Sequence, residues 1–243
     1  MIVHKDMTDN ERAIQDEATE HARKIKKKFA KTVADKARYP KEADPVSVFM
    51  AGSPGAGKTE ASKALLEQFD SEVIRIDADE YRDEFREQGY TGDNSWLFQP
   101  AVSILVEKVY DLVIGQKQSF ILDGTLTNYE KAKKNIERSL GKGRSVHILY
   151  VYQDPVRAWE FVRARETVEG RKIPRERFIE QYFAARDCVN ALKRHFGNRI
   201  RVDLLLQDRD NQLSRYSANI DNIDSHVVEK YTTSSLEDRL TSD

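Results

Sequence analysis

One short run limits the architecture of this chain more than any other feature. Gly52-Ser53-Pro54-Gly55-Ala56-Gly57-Lys58-Thr59 follows the apolar stretch Val46-Ser47-Val48-Phe49-Met50-Ala51 and opens a segment with helical spacing. It satisfies G-x-x-x-x-G-K-[ST], with Gly52, Gly57, Lys58 and Thr59 in the required places. Glycines at this spacing let several backbone N–H groups converge on phosphate oxygens, and the helix that follows adds the positive end of its dipole. The loop is therefore expected to hold the phosphates of ATP. Ser53, Pro54, Gly55 and Ala56 supply the backbone between the flanking glycines, Lys58 reaches the β- and γ-phosphates, and the Thr59 hydroxyl ligates Mg2+.

The rest of the chain supports the fold that such a loop needs. After Pro45, apolar runs at 72–77, 119–123, 146–151 and 199–206 read as further strands. Helical patterns fill the intervals at 59–69, 96–115, 129–141, 155–168 and 174–196. Alternation of this kind predicts a three-layer α/β P-loop NTPase/kinase fold, with a mainly parallel sheet of five or more strands covered on both faces. Ahead of it, Ile14, Ala18, Ala22, Ile25, Phe29 and Val33 form one apolar stripe in a charged segment from Asn10 to Arg38. This predicts an N-terminal helical arm over 1–44, ended by Tyr39-Pro40 and Asp44-Pro45 because a proline disfavours helix in its predecessor. The kinase domain spans 45–207, and the polar tail 208–243 reads as weakly structured.

Asp77 and Asp79 stand just past the second predicted strand, on the side of an open α/β sheet where ligands bind. Residues two apart in an extended segment point the same way. Two carboxylates aimed at one phosphate crevice suit a division of labour. Asp79 is expected to take the proton of an acceptor hydroxyl, and Asp77 to hold the metal, directly or through water. Each carboxylate has the alternative duty of capping the next helix. Asp123-Gly124-Thr125 ends the third strand and brings a carboxylate and a hydroxyl to the same rim as candidate substrate contacts.

Positive charge gathers in Arg163-Ala164-Arg165-Glu166 and Gly170-Arg171-Lys172, where a helix ends at a glycine. Arginines on a mobile lid, here around 163–175, can meet the negative charge that spreads over a phosphoryl group in transfer. Arg165 and Arg171 are the candidates, while Arg163 falls on another face of the helix. The alternative is a solvated helical face. In the polar and aromatic stretch 90–100, Asn94, Trp96 and Gln99 are candidates for an acceptor pocket, against a loop anchored in the core by its tryptophan.

Composition excludes several other classes. Lys plus Arg, 40, nearly balance Asp plus Glu, 41, for a formal net charge of -1, so neither nucleic acid nor an anionic membrane is an expected partner. No stretch reaches the roughly 20 apolar residues of a membrane span. The N-terminus lacks an apolar signal-peptide core, and the single cysteine, Cys188, provides no disulfide framework. These features predict a cytoplasmic protein.

The segments GSPGAGKT, RIDADEYR, ILDGTL and RETVEGRKIP occur here in the order and spacing of the zeta-toxin kinases, and the resemblance covers roughly Val46 to Phe196. It implies an ATP- and Mg2+-dependent kinase that phosphorylates a sugar hydroxyl of UDP-N-acetylglucosamine or a related UDP-sugar, blocking the first committed step of cell-wall synthesis. It further implies a small helical antitoxin that obstructs the nucleotide site. By motif match, Lys58 and Thr59 serve the nucleotide, Asp79 is the base, and Arg165 and Arg171 are lid arginines. Asp123 stands where many members carry glutamate, so its reach is shorter. Two other readings of the residues remain: a kinase of another small molecule or a polynucleotide, and a binding module switched by nucleotide.

Overall fold

The apolar runs become strands of one six-stranded sheet in the order β2-β3-β1-β4-β5-β6. The chain is described, as a computed structural model, over residues 7–67, 72–170, 172–208 and 213–241. The strands are β1 (Val46–Ala51), β2 (Ile74–Asp77), β3 (Phe120–Asp123), β4 (Ser145–Tyr152), β5 (Arg201–Gln207) and β6 (Leu213–Ser217). The first five are mutually parallel and β6 runs antiparallel to β5. The α/β P-loop fold expected from the sequence is thus the observed one. Parallel pairing brings the ends of β1, β2 and β3 to a single rim, and Asp77 lies directly opposite Asp123 across the β2–β3 register.

Alternation along β1 explains the layering. Phe49 and Ala51 join Ile76, Phe120, Ile148 and Tyr150 in the larger core, while Val48 and Met50 join Ile121, Leu149 and Val151 on the opposite face. The larger core is covered by α1 (Asp9–Val33), α3 (Gln99–Gln116), α4 (Tyr129–Leu140) and α6 (Arg175–Phe196). The other face receives α2 (Lys58–Leu66). A third cluster joins α5 (Pro155–Glu169) to the first turns of α6 and to α7 (Thr233–Thr241).

The expected N-terminal helix forms, but it stops at Val33 instead of continuing to Arg38. Thr8 caps its start: the hydroxyl accepts the Glu11 N–H and the Glu11 carboxylate accepts the Thr8 N–H. At the other end the Asp35 carboxylate accepts the Ala37 N–H at 3.0 Å and turns the chain, a local bond that competes with helix continuation. Its small residues Ala18, Ala22 and Ala30 are fully buried, which lets the helix lie close against α3. No helix among the described residues is long and apolar enough to cross a membrane.

The helix expected from Trp96 begins at Gln99 instead. Thr91 and Asn94 close a capping box around the 3-10 turn Gly92–Asn94, and residues 95–98 continue as turn before the helix opens. The tail corrects a larger expectation, because it is ordered as β6 and α7. Its anchors Ile220, Ile223, Val227, Leu236 and Leu240 are buried, but they fall in two runs too short to stand out as a periodic signal in a polar segment. Arg186 of α6 adds to their hold by donating to Asp224 at 2.6 Å, Glu229 at 3.0 Å and the Val227 carbonyl at 2.6 Å.

Candidate active site

The loop after β1 is shaped by backbone contacts that exclude side chains. A Cβ on Gly52, whose φ is +133°, would lie 2.3 Å from the Val151 carbonyl oxygen of β4. One on Gly55, at φ +73°, would lie 2.1 Å from the Ala158 carbonyl oxygen. The loop is therefore pressed between the sheet and α5. Gly57 caps α2 without any side-chain hydrogen bond, so the N–H groups of the first turn remain directed at the loop's hollow. Lys58 arches back, its Nζ donating to the Ser53 carbonyl at 2.6 Å. Pro54 and Ala56 are buried with Ser53 in the loop wall. Thr125 accepts the Gly52 N–H on its carbonyl at 3.3 Å, which ties the end of β3 to the loop.

Below the first turn of α2 lies a charged network centred on Arg75, a residue not singled out from the sequence. Its guanidinium donates to Asp123 Oδ2 at 2.7 Å and to Ser62 at 3.2 Å, and it pairs with Asp77 and Glu80. Ser62 Oγ lies 3.2 Å from Asp123 and 2.9 Å from the Thr59 carbonyl, and its single proton serves one of these two acceptors at a time. The carboxylates at the ends of β2 and β3 are thus linked to the nucleotide helix through one arginine and one serine. Burial works to lower the Arg75 pKa, but the Asp123 hydrogen bond and the Asp77, Asp123 and Glu80 charges hold it above its ordinary value. The available signal was a lone arginine inside an otherwise apolar strand, on the row that also holds Val73 and Asp77.

Asp77 is buried, and burial pushes its carboxyl up to about 6, with the Asp79 charge adding and Arg75 opposing. One of its oxygens accepts the Asp79 N–H at 2.7 Å and the other pairs with Arg75. A metal ion bound from this side would share that carboxylate with Arg75, which suits a contact through water. The Thr59 hydroxyl makes no hydrogen bond to another described residue and fits a direct ligand. Among the described residues no group of three or more His, Cys, Asp or Glu side chains could hold a metal, so phosphate oxygens and water would complete the shell.

Asp79 is half exposed at the start of a 3-10 helix, Glu80–Gln88, and pairs with the buried Arg82. Arg165 comes over the nucleotide helix and donates to Glu60, next to Thr59, at 3.1 Å. That contact ties α5 to α2. Arg171 lies outside the described residues. Asn94 departs from the group: its side chain accepts the Thr91 N–H and donates to the Gly89 carbonyl, both at 2.8 Å, holding its own loop. Trp96, at 44% exposure, projects from that same loop.

The family model for the zeta toxin matches residues 29–221. This chain belongs to the zeta toxin family. Toxin PezT of Streptococcus pneumoniae serotype 4 is 22% identical over 116 residues, a stretch spanning 46% of this chain and 46% of PezT. Among solved structures, one from work on the PezAT chromosomal toxin–antitoxin system of that organism aligns with a TM-score of 0.63 at 16% identity, covering 94% of this chain and 98% of that one. A crystal structure of AvrRxo1-ORF1:-ORF2 with ATP aligns at a TM-score of 0.57 and 14% identity, covering 86% and 66%. At such identities these structures speak for a shared fold. The zeta toxin match takes in the loop, both strand-end carboxylates, α5 and the whole parallel part of the sheet.

Proposed function

We propose that this chain is an ATP-dependent kinase that transfers a phosphoryl group to a sugar hydroxyl of UDP-N-acetylglucosamine or a related UDP-sugar, and that it acts as a zeta-type toxin against cell-wall synthesis. The observation that carries the reading is the position of Asp79. Asp79, its carboxylate half exposed just past β2, is joined by its backbone N–H to Asp77 and from there, through Arg75, Asp123 and Ser62, to the helix that bears Lys58 and Thr59. A nucleotide switch has no need of a base beside its phosphates.

In this reading the N–H groups of Gly52–Thr59 and the Lys58 ammonium hold the triphosphate, and the Thr59 hydroxyl holds Mg2+ with Asp77 behind it. Mg2+ held by these residues would supply neutralisation of the charge on the β- and γ-phosphates. Asp79 accepts the proton of the attacking hydroxyl as its oxygen bonds to the γ-phosphorus, and the bond from that phosphorus to the β–γ bridging oxygen breaks to release ADP. Arg165, with Arg171 beyond it on the lid, meets the charge that spreads over the transferred group. Asp123 and Thr125 line the acceptor side. The Asn94 amide is already engaged in its loop, so its part is to shape the pocket. An antitoxin partner is proposed from the toxin–antitoxin setting of the PezT-related structure.

Incubation with Mg2+, labelled ATP and an extract of bacterial small metabolites, followed by mass identification of the labelled product, tests the reading. A phosphorylated UDP-sugar supports it. Free phosphate as the sole product rejects the kinase reading in favour of an ATPase or switch.

A further inference from the structure

Arg82 is buried, with 5% of its surface exposed, directly beside the Asp79 carboxylate. Its Nη1 pairs with Asp79 and lies 3.4 Å from the Ala78 carbonyl, while Nη2 donates to Gln99 Oε1 at 2.8 Å. Asp79 itself makes no capping bond to the 3-10 helix it begins. A half-exposed aspartate on a strand end has several rotamers, and a contact to a fixed guanidinium selects among them. Gln99 opens α3 and its N–H reaches the Trp96 carbonyl at 3.4 Å, so the same guanidinium ties the carboxylate to the loop over 91–98. The 3-10 helix that carries the arginine is itself anchored in the core: Tyr81 and Phe85 are buried, and the Phe85 ring lies 5.9 Å from that of Phe98.

We propose that Arg82 is a positioning residue, which aims the Asp79 carboxylate and couples that aim, through Gln99, to the loop on the acceptor side. The inference rests on the kinase reading above, because it assigns Asp79 the acceptor proton. It goes beyond that reading in making the base geometry depend on an arginine and a glutamine that touch neither nucleotide nor metal. Ordering of the 91–98 loop by an acceptor would then reach the base through two hydrogen-bonded side chains. Misaiming a base by an ångström is enough to slow transfer by ~10–100-fold.

The test is a double-mutant cycle between Arg82→Met and Asp79→Asn, with Arg82→Lys and Gln99→Leu as companions and melting curves to establish folding. Turnover is measured with Mg2+-ATP and UDP-N-acetylglucosamine, and in parallel as ATP hydrolysis with water as acceptor. Arg82→Met is expected to lower kcat ~10–100-fold with the KM for ATP changed less than about twofold, and Arg82→Lys to recover part of the loss. In the Asp79→Asn background Arg82→Met is expected to change turnover less than about threefold, since the residue it serves is gone. An equal loss in both backgrounds, or a rise in the KM for ATP matching the loss, overturns the proposal. If Arg82→Met does not fold, Gln99→Leu carries the same cycle with an expected loss of ~3–10-fold, and equal losses in both backgrounds again overturn it. A wild type that hydrolyses ATP without phosphorylating the UDP-sugar rejects that acceptor, and the cycle is then decided on hydrolysis. A wild type with neither activity rejects both readings.

Discussion

Two arginines largely withdrawn from solvent, one toward each end of the sheet, meet different surroundings. Arg144, just ahead of β4, donates to Ser47 Oγ at 2.7 Å and to the carbonyls of Val46 at 2.9 Å and Gln118 at 2.6 Å, with its guanidinium 5.1 Å from the Phe120 ring. Burial pulls its pKa below the ordinary value, because neutral dipoles offset only part of the lost hydration. Arg75 is met by Asp77, Asp123 and Glu80. The amino end of the sheet thus bonds a cation to neutral groups, with the Glu42 charge acting on it only at a distance, and fastens strands together. The carboxyl end gathers carboxylates around a cation beneath the nucleotide loop. Charge concentrated without being needed for packing marks the working end of the sheet.

The comparison is sharpened most strongly by Lys58→Ala, which removes the ammonium from the loop. Phosphoryl transfer is expected to fall by at least ~10³-fold in a steady-state assay, with melting nearly unchanged. Arg75→Met ranks next. It leaves Asp77 and Asp123 facing each other without a cation, and kcat is expected to fall ~10–100-fold with a measurable loss of stability in urea titration. Arg144→Met should reverse the pattern. Two carbonyls lose their donor, so unfolding free energy should drop by ~2–4 kcal/mol while kcat stays within about threefold. If Arg144→Met affects kcat more than Arg75→Met, the contrast between the two ends fails.

Cys188, on α6 and away from the rim, gives the smallest expected effect. Burial pushes its thiol up to about 12, with the Asp187 charge adding. The folded state therefore keeps the thiol protonated at pH 8, and iodoacetamide labelling should be at least ~10²-fold slower than in urea, with turnover unaffected. A thiol pKa raised on folding stabilises the protein below the ordinary thiol value, and that stability is lost as pH rises through about 12. Cys188→Ala should flatten the alkaline fall.

Much of this arrangement is legible in the sequence because single residues carry it. The G-x-x-x-x-G-K-T run, the strand–helix alternation and the strand-end aspartates are local patterns, and each has a counterpart in the observed fold. Arg75 and Arg82 were not legible as site residues, because their meaning depends on partners such as Asp123 and Gln99, at 48 and 17 residues' distance. The tail was missed for a related reason. Its described part is held by five apolar anchors in two short runs and by a pair of carboxylates on Arg186, too few residues to read as elements in a polar segment. Asn94 had the right chemistry for substrate, but its hydrogen bonds go to the backbone of its own loop.

The central claim is that the Gly52–Thr59 loop and Asp79 form one phosphotransferase site. Mass analysis of UDP-N-acetylglucosamine after incubation with the protein and Mg2+-ATP tests it most directly, with Asp79→Asn in parallel. The account predicts an acceptor heavier by one phosphoryl group, formed ~10²–10⁴-fold more slowly by Asp79→Asn. Consumption of ATP with the acceptor unchanged, or an Asp79→Asn protein as fast as the wild type, would contradict it.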